Sequence, residues 1–195
     1  MLEEGGDVEG AIAVYQGPEA SKVHRFHRAV HLAELLVRHE RGEEAVAVMR
    51  EAADSLAGAE DWIVHTLCDL YTGQGRPQDG LDYLDTLKAR RGEEEWELFR
   101  FRPGLMAACG RREEAIELIR AHPEGDTSYG AEAISELLAD AGRVHEAAAL
   151  LEAKASSDSS VLAWHLIDLG RVKDAVEVLQ RPKATTRPSD DPWAA

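Results

Sequence analysis

Three histidines near the start of the chain have the residue type and spacing that could bind a metal ion. His24, His27 and His31 are three and four positions apart, so on a helix their imidazoles lie on neighbouring turns of one face. Zinc or nickel accepts imidazole nitrogens, and three such ligands would leave one coordination position open. Glu34 and His39 follow, but no HExxH or comparable motif surrounds the cluster. A surface of titratable histidines is the favoured interpretation, and a metal-binding protein is the alternative.

The other reactive residue types lie outside any motif for catalysis. Cys68 and Cys109 form no CxxC or zinc-finger spacing, and we interpret both as packing residues. Paired acids such as Glu113 and Glu114 are expected in first helical turns, where carboxylates interact favourably with the helix dipole. The sequence has no glycine-rich phosphate loop, no Ser-His-Asp arrangement and no nucleotide fingerprint. It therefore predicts a protein that is not an enzyme and uses no cofactor.

Composition narrows the classes of partner. The 195 residues are 44% hydrophobic and 30% charged, with a formal net charge of -15. Such an acidic chain repels phosphate backbones and anionic membrane surfaces, so we expect neither nucleic acid nor a membrane as partner. No apolar stretch approaches the roughly 18 residues of a membrane span, and no signal-peptide pattern opens the chain. Together with two isolated cysteines this favours a cytoplasmic protein, and arginine's excess over lysine favours a high-GC bacterial genome.

A repeated pattern predicts the elements that position these residues. An apolar pair, a turn, a small residue and further aliphatic residues recur six times along the chain. A period near 34 residues is typical of helical hairpins, each with a helix A before the turn and a helix B after it. The small residues that open the B helices are Ala11, Ala45, Gly80, Ala115, Ala147 and Ala175.

Each predicted turn lies five residues before its small residue. A glycine there supplies a left-handed backbone that ends helix A without a Cβ penalty. In the second repeat Glu40 occupies this place and Gly42 follows, so we expect a turn of different geometry. The glycines at the other five turns are Gly6, Gly75, Gly110, Gly142 and Gly170.

The fourth repeat breaks the pattern inside helix A. Pro103 and Gly104 fall where that helix should continue, so we expect a kink or a restart. Arg100 and Arg102 would then lie on a bent segment of an otherwise acidic chain. Local accommodation within the stack is the favoured interpretation. A recognition site for an acidic group and a flexing point are the alternatives.

The pattern resembles the tetratricopeptide repeat family over about residues 1–181. The likeness lies in the period, the small residue early in helix B and the aliphatic positions, whereas the family's Trp-x2-Leu-Gly-x2-Tyr opening is mostly missing. The resemblance implies an all-α fold, a right-handed α-solenoid of about five and a half tetratricopeptide-like helix-turn-helix repeats. It also implies protein or peptide binding, as in the repeat region of a larger bacterial regulatory protein. Sel1-like and other helical-hairpin repeats are related alternatives.

Both ends of the predicted solenoid are open. The first B helix, near Val8–Gln16, has no helix A of its own, and the last stops near Gln180 without a polar capping helix. We therefore expect a piece of a longer protein, a chain with a misplaced start, or a self-assembling homo-oligomeric scaffold. Residues 182–195 are predicted to form a proline-rich disordered tail. Its Trp193 is interpreted as a stray aromatic, with a short docking motif as the alternative.

In the tetratricopeptide family the A helices line the concave face, and the resemblance carries that register over to this chain. The charged residues so placed are mostly acidic and rings are interspersed among them, which suits a basic or amphipathic peptide or protein segment. An ordinary solvated helix surface is the alternative interpretation. The predicted partner-binding face consists of His27, Glu34, Arg38, Trp62, His65, Asp69, Glu97, Arg100, Tyr129, Glu132, Glu136, Asp140, Trp164 and Asp168.

Overall fold

The chain is helical throughout the part that its structure describes. The computed structural model describes residues 8–16, 22–55, 61–92, 96–154 and 159–180, and within these ranges it contains twelve α-helices and no strand. The predicted all-α fold is confirmed. None of the helices in these ranges combines the length and the hydrophobicity needed to cross a bilayer. The helices are α1 (Val8–Gln16), α2 (Lys22–Arg38), α3 (Gly42–Asp54), α4 (Asp61–Gly73), α5 (Pro77–Arg91), α6 (Trp96–Phe99), α7 (Arg102–Ala108), α8 (Arg112–Ala121), α9 (Ser128–Asp140), α10 (Val144–Ala153), α11 (Ser159–Asp168) and α12 (Val172–Gln180).

Consecutive helices pack in pairs that correspond to the predicted A and B helices. Helix α2 packs on α3, α4 on α5, α7 on α8, α9 on α10 and α11 on α12. B helices also pack on the A helix that follows, as α1 does on α2, α3 on α4, α5 on α7 and α10 on α11. A B helix held in this way is covered on two sides. The predicted bounds of the first and last B helices agree with α1 and α12.

The small residues of the repeat allow the helices to approach closely. Ala45, Ala115 and Ala147 are completely buried. Gly80 is buried as well, and a Cβ built on it would lie 2.8 Å from Cδ2 of Leu105 on α7. Any larger side chain at this position would force the side chain of Leu105 to move.

All described turns between helices A and B share one backbone geometry, including the turn at Glu40. Glu40 has a φ of 60°, and the glycines at the equivalent positions have φ values from 70 to 79°. The N–H of Arg41 donates to the carbonyl of Leu36 at 2.8 Å, and the same bond, spanning five residues, closes the other turns. The expectation of a different geometry at Glu40 is therefore wrong, because this hydrogen bond dictates the left-handed conformation. Gly6 lies outside the described residues.

An arginine follows each of these turns and pairs with the carboxylate three residues later. Arg41 forks onto both oxygens of Glu44 at 2.6 and 2.7 Å, and this hydrogen bonding lowers the pKa of Glu44. Three of the arginines also reach a carboxylate on the preceding B helix: Arg41 reaches Glu9, Arg76 reaches Glu43 and Arg171 reaches Glu152. We call the arginine that follows each of these turns the turn arginine. The pairs at the start of the B helices are Arg41–Glu44, Arg76–Asp79, Arg111–Glu114, Arg143–Glu146 and Arg171–Asp174.

The predicted interruption of the fourth A helix is confirmed. Helix α6 ends at Phe99 and α7 begins at Arg102, with Pro103 in the first turn of α7, where its missing N–H is tolerated. The guanidinium of Arg102 pairs with Asp85 of α5 at 2.8 Å, and its side chain is only 13% exposed. The charge of Arg102 is thus balanced inside the protein rather than presented to an acidic ligand.

The chain divides into two compact units, Met1–Ala121 and His122–Ala195. Unit 1 contains α1 to α8, and unit 2 contains α9 to α12. The core of unit 2 is built from residues of all four of its helices, among them Ala131, Leu151, Leu166 and Val178. The predicted tail at 182–195, with Trp193, lies outside the described residues.

Candidate functional site

Side-chain rings from successive A helices of unit 1 contact one another in a row. His27 of α2 and Trp62 of α4 have ring centroids 5.2 Å apart, and His65 of α4 lies 5.0 Å from Phe101, which sits between α6 and α7. The guanidinium of Arg100 lies 4.9 Å from the Phe101 centroid. We call these five residues the ring row. The predicted register thus brings four residues of the predicted face together across three successive A helices.

The ring row presents part of its surface to solvent. Trp62 is 39% exposed, and His27, His65 and Arg100 are exposed as well. Phe101 is buried and forms the base on which His65 and Arg100 rest. Phe101 is missing from the predicted face because the register of a continuous helix does not hold across the break before Pro103. The alternation of aromatic and basic residues in the segment that begins at Phe99 is the sequence signal that could have indicated Phe101.

Carboxylates adjoin the imidazoles of this surface. Oδ2 of Asp69 lies 3.5 Å from Nδ1 of His65, one helical turn away on α4. Oε2 of Glu34 lies 3.3 Å from Nδ1 of His31 on α2. Cations and hydrogen-bond donors of a ligand would meet these acids beside the rings. The two remaining predicted residues of unit 1, both exposed, are Arg38 and Glu97.

In unit 2 the predicted carboxylates form an acidic strip along α9. Glu132, Glu136 and Asp140 follow one another at helical spacing on one face. Partial removal from water raises the pKa of Glu136, and the negative charges of Asp140 and Glu132 raise it further. A basic ligand group beside Glu136 would relieve this repulsion.

Large aromatic side chains accompany the acidic strip within unit 2. Tyr129 on α9 is 62% exposed, and Trp164 on α11 is 67% exposed. Asp168, one turn after Trp164, is exposed too. Rings of this size gain more than smaller side chains when a partner covers them, and they lose little conformational entropy. These residues give unit 2 contact area next to its charge.

One buried pair in unit 2 has the residue types of a nucleophile and a base but not their geometry. Nε2 of His165 lies 3.4 Å from Oγ of Ser135. Oγ of Ser135 donates its proton to the carbonyl of Glu132 at 2.8 Å, and Ser135 is completely buried. A hydroxyl so placed cannot reach a substrate. The pair is a polar packing contact between α9 and α11.

The buried cysteine is likewise not activated. Burial raises the pKa of the Cys68 thiol to about 12. At neutral pH the sulfur therefore keeps its proton, and the thiolate that acts as nucleophile or metal ligand is not formed. The interpretation of Cys68 as a packing residue of α4 agrees with its burial.

The histidines of α2 contact different neighbours. His27 packs on Trp62, and His31 lies beside Glu34 and the ring of Tyr15. Among the side chains that the structure describes, no three His, Cys, Asp or Glu residues are grouped so that they could hold a metal ion. The side chain of His24 lies outside that set. A metal site on His24, His27 and His31 stays a prediction.

No protein-family model and no curated protein matches this sequence. The resemblance to tetratricopeptide repeats consequently rests on the residue pattern alone and stays a prediction.

Proposed function

We propose that this protein is a non-enzymatic interaction module that binds a peptide or protein segment on the exposed faces of its A helices. The observation that carries the proposal is the ring row, in which exposed rings on α2 and α4 and the exposed Arg100 on the buried ring of Phe101 form one surface. A ligand lying across these helices would contact every hairpin of the row at once. Such contact gives a repeat protein an extended binding surface from a small number of residues per hairpin.

The proposed ligand is basic or amphipathic. Trp62 and His27 offer flat faces to apolar groups and to cations, and Asp69 lies one turn from His65 to accept hydrogen bonds. Unit 2 offers the carboxylates of the acidic strip on α9 and the exposed ring of Trp164 on α11. A net charge of -15 steers a cationic partner toward the protein over a longer range.

The proposed architecture is a right-handed α-solenoid of tetratricopeptide-like hairpins, in a cytoplasmic protein of bacterial regulatory type. Its support is the alternation in which B helices such as α3 pack both on their own A helix and on the next one. The buried small residues of α3, α5, α8, α10 and α12 support it as well. In that architecture the A helices carry the ligand and the B helices hold the stack together.

A peptide-display selection on the full chain tests the proposal. Random linear peptides are selected on the immobilised protein, and the enriched sequences are titrated against it by fluorescence anisotropy. We expect the selection to enrich peptides that contain Lys or Arg together with apolar residues. A Trp62→Ala, Asp69→Ala variant should bind these peptides at least tenfold more weakly than the wild type does. Rising salt should weaken binding because the charged part of the attraction is screened.

The matched control is Glu51→Ala, which removes an exposed carboxylate from B helix α3 without touching the A helices. Circular dichroism verifies that each variant is folded. Trp62 is partly exposed, so its truncation leaves the buried core of α4 intact. Equal binding by wild type and the double variant, or failure to enrich any peptide, would contradict the proposal.

A further inference from the structure

Arg100 is an exposed cation without a carboxylate partner among the residues that the structure describes. Glu97 lies three residues earlier, at the spacing with which Glu117 pairs with Arg120, yet Arg100 and Glu97 form no ion pair. The guanidinium of Arg100 lies 4.9 Å from the ring centroid of Phe101 instead. An acid of suitable spacing is therefore present, and the arginine packs on the ring.

Arginines elsewhere in the described chain are balanced by acids. Arg102, two residues after Arg100, pairs with Asp85 at 2.8 Å, and Arg90 pairs with Asp54 at 2.9 Å. Each turn arginine pairs with the acid three residues later. A ligand acid that approached one of these arginines would compete with an existing ion pair. A ligand acid that approached Arg100 would break none.

Phe101 places the guanidinium of Arg100. Its ring is buried between α6 and α7, and its N–H donates to the carbonyl of Leu98 at 3.2 Å. A guanidinium packed on a ring keeps N–H donors at its edges, where they match the two oxygens of a carboxylate. Because the ring already positions the side chain, binding there costs less conformational entropy than at an arginine without such a contact.

An acid of the protein lies at the other end of the same group of contacts. His65 lies 5.0 Å from the Phe101 ring, and Oδ2 of Asp69 lies 3.5 Å from Nδ1 of His65. A segment bound along the ring row therefore meets a carboxylate at the His65 end of this contact and a guanidinium at the Phe101 end. The two opposite charges favour a segment that carries both an acidic and a basic residue.

We propose that Arg100 binds a side-chain carboxylate of the partner segment, an inference that rests on the proposed function. The segment is basic or amphipathic as a whole, and one Asp or Glu within it pairs with Arg100 while a basic residue pairs with Asp69. A carboxylate suits this place better than a phosphoryl group. The second negative charge of a phosphoryl group would enter a chain of net charge -15 with a single guanidinium to balance it.

The test uses the peptide most enriched in the display selection on the full chain. Arg100→Gln should bind this peptide about tenfold more weakly than wild type, because a charge-assisted hydrogen bond is lost. Arg100→Lys should have intermediate affinity, since an ammonium keeps the charge and not the paired donors. A ligand without an acid would bind Arg100→Gln as well as wild type or more tightly, because a repelling positive charge is gone. That result would overturn the inference.

Substitutions in the peptide identify the acid. Each Asp or Glu of the peptide is replaced in turn by Asn or Gln. We expect one replacement to weaken binding to wild type about tenfold and to cause no further loss with Arg100→Gln, as a direct pair requires. Additive losses would overturn the inference.

Arg50→Gln is the matched control. Arg50 is exposed and its guanidinium lies 5.6 Å from the ring centroid of Tyr83, but it belongs to B helix α3. This variant should bind the peptide as wild type does, and circular dichroism verifies that each variant is folded.

Two further outcomes would assign Arg100 differently. Residues 93–95 are three glutamates outside the described ranges. Tighter peptide binding by a Glu93→Gln, Glu94→Gln, Glu95→Gln variant that requires Arg100 would assign Arg100 to the chain's own acids and overturn the inference. A peptide whose binding depends on Trp62 and Asp69 but not on Arg100 would overturn it as well and leave the proposed function intact. Failure to enrich any peptide would contradict both.

Discussion

Glu40 shows how a residue can be placed against its own conformational preference. The left-handed backbone costs a residue with a Cβ on the order of 1–2 kcal/mol, and glycine avoids that cost. Glu40 nevertheless has a φ of 60°, since the hydrogen bond from Arg41 to Leu36 closes the turn in the same way as at the glycine turns. Its side chain is exposed. The backbone strain at Glu40 is therefore a consequence of closing the hairpin turn, and the exposed Glu40 side chain does not cause it.

Replacing Glu40 by glycine should therefore stabilise unit 1. We expect Glu40→Gly to raise the free energy of unfolding by about 1 kcal/mol in urea denaturation, because the strain is removed. Glu40→Ala is the matched control, since it removes the carboxylate and keeps the Cβ. A gain of equal size in both variants would attribute the effect to charge and contradict the backbone explanation.

Glu136 should make stability depend on pH. Its pKa is raised in the folded protein by burial and by Asp140 and Glu132, so the folded state holds this proton more tightly than the unfolded state. Stability is consequently lost as the pH rises from the usual pKa of a glutamate through the raised one. We expect Glu136→Gln to melt at a higher temperature than wild type at about pH 7, and the difference to vanish well below pH 4. Glu51→Gln on α3 is the control, and an equal gain from it would refute the assignment.

Candidate binding residues could be identified from the sequence where the helices are regular. His27, Trp62 and His65 lie on continuous helices, so the register of the repeat was sufficient to bring them together. Phe101 was missed because it lies at the break before Pro103, where that register no longer applies. Which neighbour a histidine contacts depends on how side chains pack between helices. The distances between side chains on different helices cannot be read from a single sequence.

At the scale of helices, the turn arginine links neighbouring hairpins. Arg76 donates to Asp79 in its own helix and reaches Glu43 on the preceding B helix at 2.5 Å. The sequence contains an arginine and an acid three residues apart at each of these turns, yet that spacing is common wherever a helix begins. The contact with Glu43 depends on how closely the hairpins stack, so the sequence alone did not reveal it.

The contact between hairpins should be detectable by a double-mutant cycle. We expect Arg76→Gln and Glu43→Gln to show a favourable coupling at low salt that disappears at about 1 M NaCl, because the pair is exposed and screened. Arg111 with Glu114 provides a comparison within one helix. A coupling that survives high salt would contradict an electrostatic link between the hairpins.

For the whole molecule, the periodicity was sufficient to predict the helices and their pairing. The periodicity acts locally, because B helices such as α3 bury their apolar residues against their own A helix and the next one. How hairpins group into compact units depends on packing across the turns, which a repeat length does not specify. The division after Ala121 was accordingly found only in the structure.

Local packing should confine the damage of a core substitution to one unit. Leu138 is buried in unit 2, and its replacement by alanine should cost roughly 2–5 kcal/mol. We expect Leu138→Ala to accelerate amide hydrogen exchange in α9 to α12 far more than in α2 to α5. Leu36→Ala, at an equally buried place in unit 1, should produce the reverse. Acceleration that is uniform along the chain in either variant would contradict this independence.

The common geometry of the turns makes the hairpin a unit of genetic recombination. A crossover that joins the codon of Gly75 to that of Arg111 deletes one repeat, yet the new junction keeps the left-handed residue, the arginine and the acid three residues later. A crossover that joins non-equivalent positions of two repeats separates the arginine from its turn. The next B helix then begins without the turn arginine. Relatives of this chain should therefore differ in length by whole repeats.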